Sequence, residues 1–229
     1  MSRVLVFGDT HIPFMLKKYS EFLKEVYKKY KCDKVVCMGD LFDCHAISRH
    51  DTHPDAVGGK EEYLRGIKQA KQLYKFFPKV EICIGNHDEI LYRQNATLGI
   101  PEIMLPTLKT LFQTPIGWKW AYQHTIDGIN YFHGTGISGE HAHVTATKKK
   151  MMSTCIGHIH TNLGVRYIAN DRELLLSIGT GCGMNHRSYA AAYAKFNIKK
   201  PVIGCVVVID GTLVIPVPMN LGTRIVVKR

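Results

Sequence analysis

The chain has 229 residues, 45% hydrophobic and 21% charged, which suffices for one sizeable core and excludes a disordered or fibrous protein. No apolar run reaches the roughly 18 residues needed to span a bilayer, and residues 1–8 read as a core strand without the charged start or cleavage site of a signal peptide. The seven cysteines are odd in number and lack a CxxC pair, which argues against a disulfide framework and fits a reducing cytoplasm. Cys182 and Cys205 read as small core fillers. The formal charge of +11, from 30 Lys+Arg against 19 Asp+Glu, gives a surface that draws polyanions, and it favours nucleic acid without requiring it.

Arg3-Val4-Leu5-Val6-Phe7 is a β-branched apolar run, as in a strand buried on both faces. Leu16, Tyr19, Leu23, Val26, Tyr27 and Tyr30 recur at helical spacing, with lysines on the other face. Val35-Val36-Cys37-Met38 is a second buried strand, followed by a polar loop from His45 to Gly59. Tyr63, Leu64, Ile67, Ala70, Tyr74 and Phe77 mark a second helix, stopped by Pro78. Val80-Glu81-Ile82-Cys83-Ile84 is the third strand. This order predicts a parallel sheet with right-handed crossovers, whose ligands gather beyond the carboxyl ends of its strands.

The second half reads differently. Residues 118–125 and 128–132 are expected strands joined at Asp127-Gly128, and 139–152 an expected helix. Further strands are expected at 154–156, 163–168, 173–178, 204–209 and 212–217, with a hairpin turn at Asp210-Gly211. Local pairing of these segments suggests a second, more antiparallel sheet. No repeat or linker divides residues 1–229, so one domain is expected.

Five clusters of metal-ligand residues lie along the chain: Asp9-Thr10-His11, Gly39-Asp40-Leu41-Phe42-Asp43, Gly85-Asn86-His87-Asp88, His133-Gly134 and Gly157-His158-Ile159-His160. Most follow a strand-like run. Carboxylate, imidazole and amide oxygen together suit divalent Mn, Fe, Ni or Zn, with manganese first among them. Two ions roughly 3.5–4 Å apart can activate one water and clamp a phosphoryl group. Singly, Asp9 or Asp88 reads equally well as a helix cap and His133 as a satisfied histidine at a strand end.

The set resembles the calcineurin-like metallophosphoesterase superfamily, whose pattern runs D-x-H, G-D-x-x-D, G-N-H-D/E, H and G-H-x-H. All five elements are present between residues 9 and 160. The resemblance implies a four-layer αββα sandwich, with two mixed β-sheets face to face and helices on both outer faces. It implies that Asp9, His11, Asp40 and His160 hold one metal, and that Asp40, Asn86, His133 and His158 hold a second, with Asp40 as the bridge. His87 would stand by the leaving oxygen, and Asp43 would orient His87 or cap the following turn. The reaction implied is hydrolysis of a phosphate ester through a metal-bridging hydroxide.

Substrate is less marked. Cys44-His45 stands where protein phosphatases of the superfamily carry Arg-Gly, and Asp43 stands where purple acid phosphatases carry a tyrosine. The length and Ser48-Arg49 look like the small stand-alone phosphoesterases of bacteriophages and bacteria. Arg49 and His45, with His50 and His53, are candidates to line a substrate groove, or they belong to a solvated loop. His124, His141, His143 and His186 read as surface or structural. Lys148-Lys149-Lys150, Lys195, Lys199-Lys200, Arg224, Lys228 and Arg229 are candidates for a phosphate-tracking surface. Trp118, Trp120, Tyr189 and Tyr193 are candidates for stacking, although an aromatic strand is more often core. Residues 184–203, with Arg187, Tyr189 and Tyr193, form the expected variable lid or interface. The favoured substrate is a phosphodiester of nucleic acid or a nucleotide. A phosphomonoester substrate and a non-catalytic nucleic-acid-binding or scaffold module are the alternatives. A homo-oligomer is compatible with the sequence.

Overall fold

The computed structural model describes residues 1–49, 53–194 and 196–221, so His50, Lys195, Arg224, Lys228 and Arg229 lie outside the described residues. The first half follows the apolar periodicity: β1 (Arg3–Phe7), α1 (Tyr19–Lys29), β2 (Lys34–Cys37), α2 (Gly59–Phe76) and β3 (Lys79–Cys83). Two short helices, α3 (Ile90–Thr97) and α4 (Leu108–Leu111), then precede β4 (Gly117–Ala121). Next come β5 (Gln123–Ile126), β6 (Ile129–Phe132), α5 (Ala142–Lys150), β7 (Thr154–Ile156), β8 (Leu163–Ala169) and β9 (Leu174–Thr180). The last two strands are β10 (Gly204–Ile209) and β11 (Leu213–Pro218).

One sheet has six strands in the order β11-β10-β1-β2-β3-β4 and the other has five in the order β5-β6-β7-β9-β8. β1 to β4 run parallel, while β10 is antiparallel to both β1 and β11. In the second sheet β6, β7 and β9 are parallel and the edge strands β5 and β8 antiparallel. Both sheets are therefore mixed.

Three apolar clusters define the layers. Leu5, Phe7, Cys37, Ile82 and Val207 on one face of the six-stranded sheet pack with Tyr19 and Leu23 of α1, Ile67 and Leu73 of α2 and Leu108 of α4. Val4, Val6, Val36, Met38 and Val206 on its opposite face meet Ile129, Tyr131, Cys155 and Ile178 of the second sheet. Ala142 and Ala146 of α5 close over Ile156. The result is helix, sheet, sheet, helix, as the alternation along each strand requires when both faces are covered. Cys182 and Cys205 are fully buried within the first cluster.

Three expectations are corrected. Residues 118–125 do not form one strand. The chain breaks at Tyr122, so β4 extends the first sheet beside β3 and β5 opens the second beside β6. Alternation across 118–125 is continuous and carries no mark of which partner each half meets. Likewise the β10–β11 hairpin completes the six-stranded sheet, because β10 pairs with β1. Its turn forms as expected: Asp210 and Gly211 both have positive φ (49° and 64°), the geometry that matches strand twist. Leu64, expected on the apolar face of α2, is 55% exposed.

Trp118 is core, 2% exposed with its indole N–H donating to the Phe77 carbonyl, and Trp120 donates to Thr114 Oγ1. Neither is placed to stack on a ligand. Among the described residues, no helix is long and apolar enough to cross a membrane.

Candidate metal centre

The loops after β1, β2, β3, β6 and β7 converge, because parallel strands bring their carboxyl ends to one edge. Backbone bonds join these loops: Asp9 N–H donates to Gly39 O, His11 N–H to Asp40 O and Gly157 N–H to His133 O, each at 3.0 Å. Asp9, His11, Asp40 and His158 all adopt positive φ, between 47° and 62°. Such backbone costs energy in non-glycine residues and persists only where the surroundings enforce it. Here it turns four ligand-type side chains inward. Two glycines are required by close approach: a Cβ on Gly157 would lie 2.5 Å from Asp9 Oδ2, and one on Gly85 would overlap the Asp40 carboxylate.

Asp88 locks this arrangement. Its carboxylate is fully buried and accepts from Asp40 N–H at 2.8 Å, Leu41 N–H at 3.0 Å and Gly85 N–H at 2.9 Å. It caps no helix. It ties the loop after β2 to the loop after β3, a role its sequence position alone leaves unspecified. Glu62 of α2 does the same for the next segment, accepting from the backbone N–H groups of His45 and Ala46.

The ligand-type atoms converge closely. Those of Asp9, His11 and His160, of His11, Asp40 and His87, and of Asp40, His133 and His158 each lie within 4.8 Å of one another. His11 Nε2 stands 3.1 Å from His160 Nε2, and His160 Nε2 stands 3.4 Å from Asp9 Oδ1. His133 Nε2 lies 3.1 Å from both Asn86 Oδ1 and Asp40 Oδ2. The outer nitrogens are already used: His11 Nδ1 donates to Asp43 Oδ1 at 2.6 Å and His133 Nδ1 to the Met38 carbonyl at 2.7 Å. With Nδ1 carrying a proton, His11 turns its Nε2 lone pair toward the cluster, and His133 does the same once its Nε2 proton is displaced. His11 Nε2 and His160 Nε2, 3.1 Å apart, are close enough to ligate one cation. The donor set thus fits divalent ions, with carboxylate oxygen and imidazole nitrogen in proportions that suit Mn, Fe, Ni or Zn.

Electrostatics agree with that fit. Burial pushes the His11 pKa down, against the Asp43 hydrogen bond, and burial followed by His133 lowers His158, so both favour the neutral, ligating form. Burial alone would raise the Asp40 carboxyl, but His133, His87 and His11 outweigh it and hold Asp40 well below the usual carboxylate range. Burial works against charge on His133 too, yet Asp40 prevails and pushes it up to about 10. For Asp88, burial and then Asp40 raise the carboxyl to about 7. His87 is raised as well, Asp40 and Asp43 together overcoming its desolvation.

The model of the calcineurin-like phosphoesterase family matches residues 2–173. The chain belongs to that family. Among curated proteins no match is found. Among solved structures, a hypothetical protein from Pyrococcus horikoshii is 14% identical with a TM-score of 0.51, covering 97% of this chain and 90% of its own. The Chaetomium thermophilum Vps29 is 14% identical with a TM-score of 0.46, covering 90% and 84%. The E. coli phosphoesterase Yfce is 15% identical with a TM-score of 0.43, covering 90% and 87%. At such identity the likeness to the Pyrococcus protein speaks to fold alone.

In this calcineurin-like phosphoesterase His11, Asp40, Asn86, His158 and His160 border a cavity of about 990 Å³, whose outer walls carry His53, Asp55, His186, Arg187, Tyr189, Lys199 and Lys200. Arg187 is thus at the cavity, and so is His186, which sequence reading assigned to surface or structure. His45 lies elsewhere: it is buried beneath Tyr189 and Phe14, with ring centroids 5.5 and 6.4 Å away, and its Nδ1 is 3.9 Å from Asp43 Oδ2. Arg49 lines a separate, smaller groove with Asn86 and His87. The His87 ring is aimed by the Asp43 backbone, its Nδ1 donating to that carbonyl at 2.7 Å and standing 3.6 Å from Asp43 Oδ1. Lys150 is committed to packing, donating to Gln123 and Asn130 and lying over the Phe132 ring. His124 is structural, bonded to the Ile82 carbonyl and beside Glu81.

Proposed function

We propose that this chain, acting as one domain over residues 1–229, is a two-metal phosphodiesterase that hydrolyses nucleic acid. In this reading Asp9, His11, Asp40 and His160 would hold one divalent ion, and Asp40, Asn86, His133 and His158 the other. When bound, such ions supply charge neutralisation at phosphorus and an acidified water as nucleophile. Manganese is the first metal to try. The observation that carries the reading is the convergence of imidazole Nε2 atoms on Asp40 in a cavity also lined by Arg187, Lys199 and Lys200.

The protein's own groups divide the work. Asp43 and the Met38 carbonyl fix the tautomers of His11 and His133, so the donors are preorganised. His87 carries its Nδ1 proton toward the Asp43 carbonyl, which leaves Nε2 to deliver a proton to the leaving oxygen. Asp40 and Asp43 raise its pKa, which favours the protonated ring. Arg187, Lys199 and Lys200 draw the anionic substrate to the cavity and orient it.

The test is a panel on metal-reconstituted protein: bis-p-nitrophenyl phosphate, p-nitrophenyl phosphate, cyclic nucleotides, single- and double-stranded DNA, and RNA. Faster turnover of diesters than of the monoester is expected. Preference for the monoester would assign the site to a phosphatase, and no turnover with any metal would leave a binding module.

A further inference from the structure

A second groove, of about 240 Å³, adjoins the metal centre on the side of His87 and is lined by Ser48, Arg49, Arg93 and Gln94 together with Asn86 and His87. It is a joined structure and not a chance gap. Arg93 on α3 donates to the Asn86 carbonyl at 2.6 Å, and Gln94 donates to the Ile47 carbonyl at 3.1 Å. These bonds bind α3 to the short helical turn His45–Ile47 and to the loop that carries Asn86 and His87. Two arginines, Arg49 and Arg93, line the groove, and among the described residues no carboxylate lines it. Sequence spacing gives no hint of Arg93, which lies outside every motif.

We propose that this groove is a subsite for a second phosphate, on the leaving-group side of the scissile bond. The inference rests on the phosphodiesterase reading and extends it. His87 forms the wall between the groove and the main cavity. If His87 protonates the leaving oxygen, whatever follows that oxygen passes into the groove. A planar guanidinium pairs with phosphate oxygens through two parallel N–H bonds, so Arg49 and Arg93 suit a phosphate better than a neutral group. Arg187, Lys199 and Lys200 line the main cavity and not this groove. Cations in two cavities that share Asn86 and His87 match a strand with a phosphate in each, as at an internal phosphodiester of a polynucleotide. A single nucleotide or a monoester leaves one cavity unused.

The experiment uses the full chain loaded with Mn²⁺. It compares kcat/KM for a single-stranded oligodeoxynucleotide with kcat/KM for bis-p-nitrophenyl phosphate, which carries no second phosphate. In Arg49→Ala and in Arg93→Gln the ratio of the two is expected to fall about tenfold or more, as for loss of a charge-assisted phosphate contact. The log–log salt dependence of oligonucleotide binding is expected to become shallower by about one for each arginine removed. Because Arg93 also holds the Asn86 carbonyl, Arg49→Ala is the cleaner variant, and Mn²⁺ affinity is measured in both. An unmoved ratio and salt slope in Arg49→Ala overturns the subsite while leaving the diesterase reading standing. A wild-type protein that hydrolyses neither substrate overturns the reading and the subsite with it.

Discussion

The metal centre and the rim of its cavity are built by opposite rules. At the centre, Asp9, His11, Asp40 and His133 are 2% exposed or less, and each is held by at least one further hydrogen bond or by enforced backbone. At the rim, Arg187, Lys199 and Lys200 are exposed, and Lys199 is paired across solvent with Glu140 at 2.8 Å. Buried, over-determined groups keep their geometry whatever binds. Exposed cations on long side chains hold little geometry and respond mainly to charge. The contrast teaches that the reaction is fixed by the centre, whereas substrate choice is left to groups that can change without disturbing the fold.

Substitutions ranked by effect can break or sharpen this contrast. Asp40→Asn, at the junction of both ligand groups, is expected to lower kcat by about 10³-fold, the scale of losing a principal electrostatic group. The loss should be accompanied by weaker metal uptake, read by metal analysis after dialysis. A variant retaining wild-type turnover would remove Asp40 from the centre. His87→Asn is expected to cost about 10²-fold or more in kcat while metal content is kept, if the group acts on the leaving oxygen as proposed. A substrate with a good leaving group, such as p-nitrophenolate, should show a smaller loss than an oligonucleotide.

Asp88→Ala probes the lock beneath the centre. Three buried N–H groups would lose their acceptor, so a loss of roughly 3 kcal/mol or more in denaturant stability is expected. Metal affinity should fall about 10–100-fold through displacement of Asp40, although Asp88 reaches that residue only through its backbone N–H. Wild-type affinity in a folded Asp88→Ala protein would show that the loops hold without it.

Proton release offers a further check. In the metal-free protein His133 is pushed up to about 10, so near pH 7 it carries a proton that an incoming ion must displace. Raising the pH removes that competition, and affinity should rise about tenfold per pH unit for each proton released. Calorimetric titration in buffers of different ionisation enthalpy reads the proton directly. The smallest effect is expected at the rim: Arg187→Ala should change kcat/KM for an oligonucleotide by less than about tenfold, mostly in KM, and the effect should fade with added salt. A kcat collapse there would move Arg187 into the centre and erase the distinction.

Sequence alone determined the parallel β-α-β-α-β half, because runs such as Val4–Phe7 and the 3.6-residue recurrence from Tyr19 to Val26 are local patterns that burial selects directly. It also marked every ligand-type residue that the loops bring together, since the chemistry demands particular atoms, and the motif glycines report the close approaches at Gly85 and Gly157. Only the tertiary structure decided the rest. The split at Tyr122 between two sheets, the return of β10 to β1, the burial of His45 beneath Tyr189 and the arrival of Arg93 beside His87 all depend on partners distant in the chain. A residue's type and its neighbours in sequence fix what it can bond, while the loop and sheet it meets in space fix what it does bond.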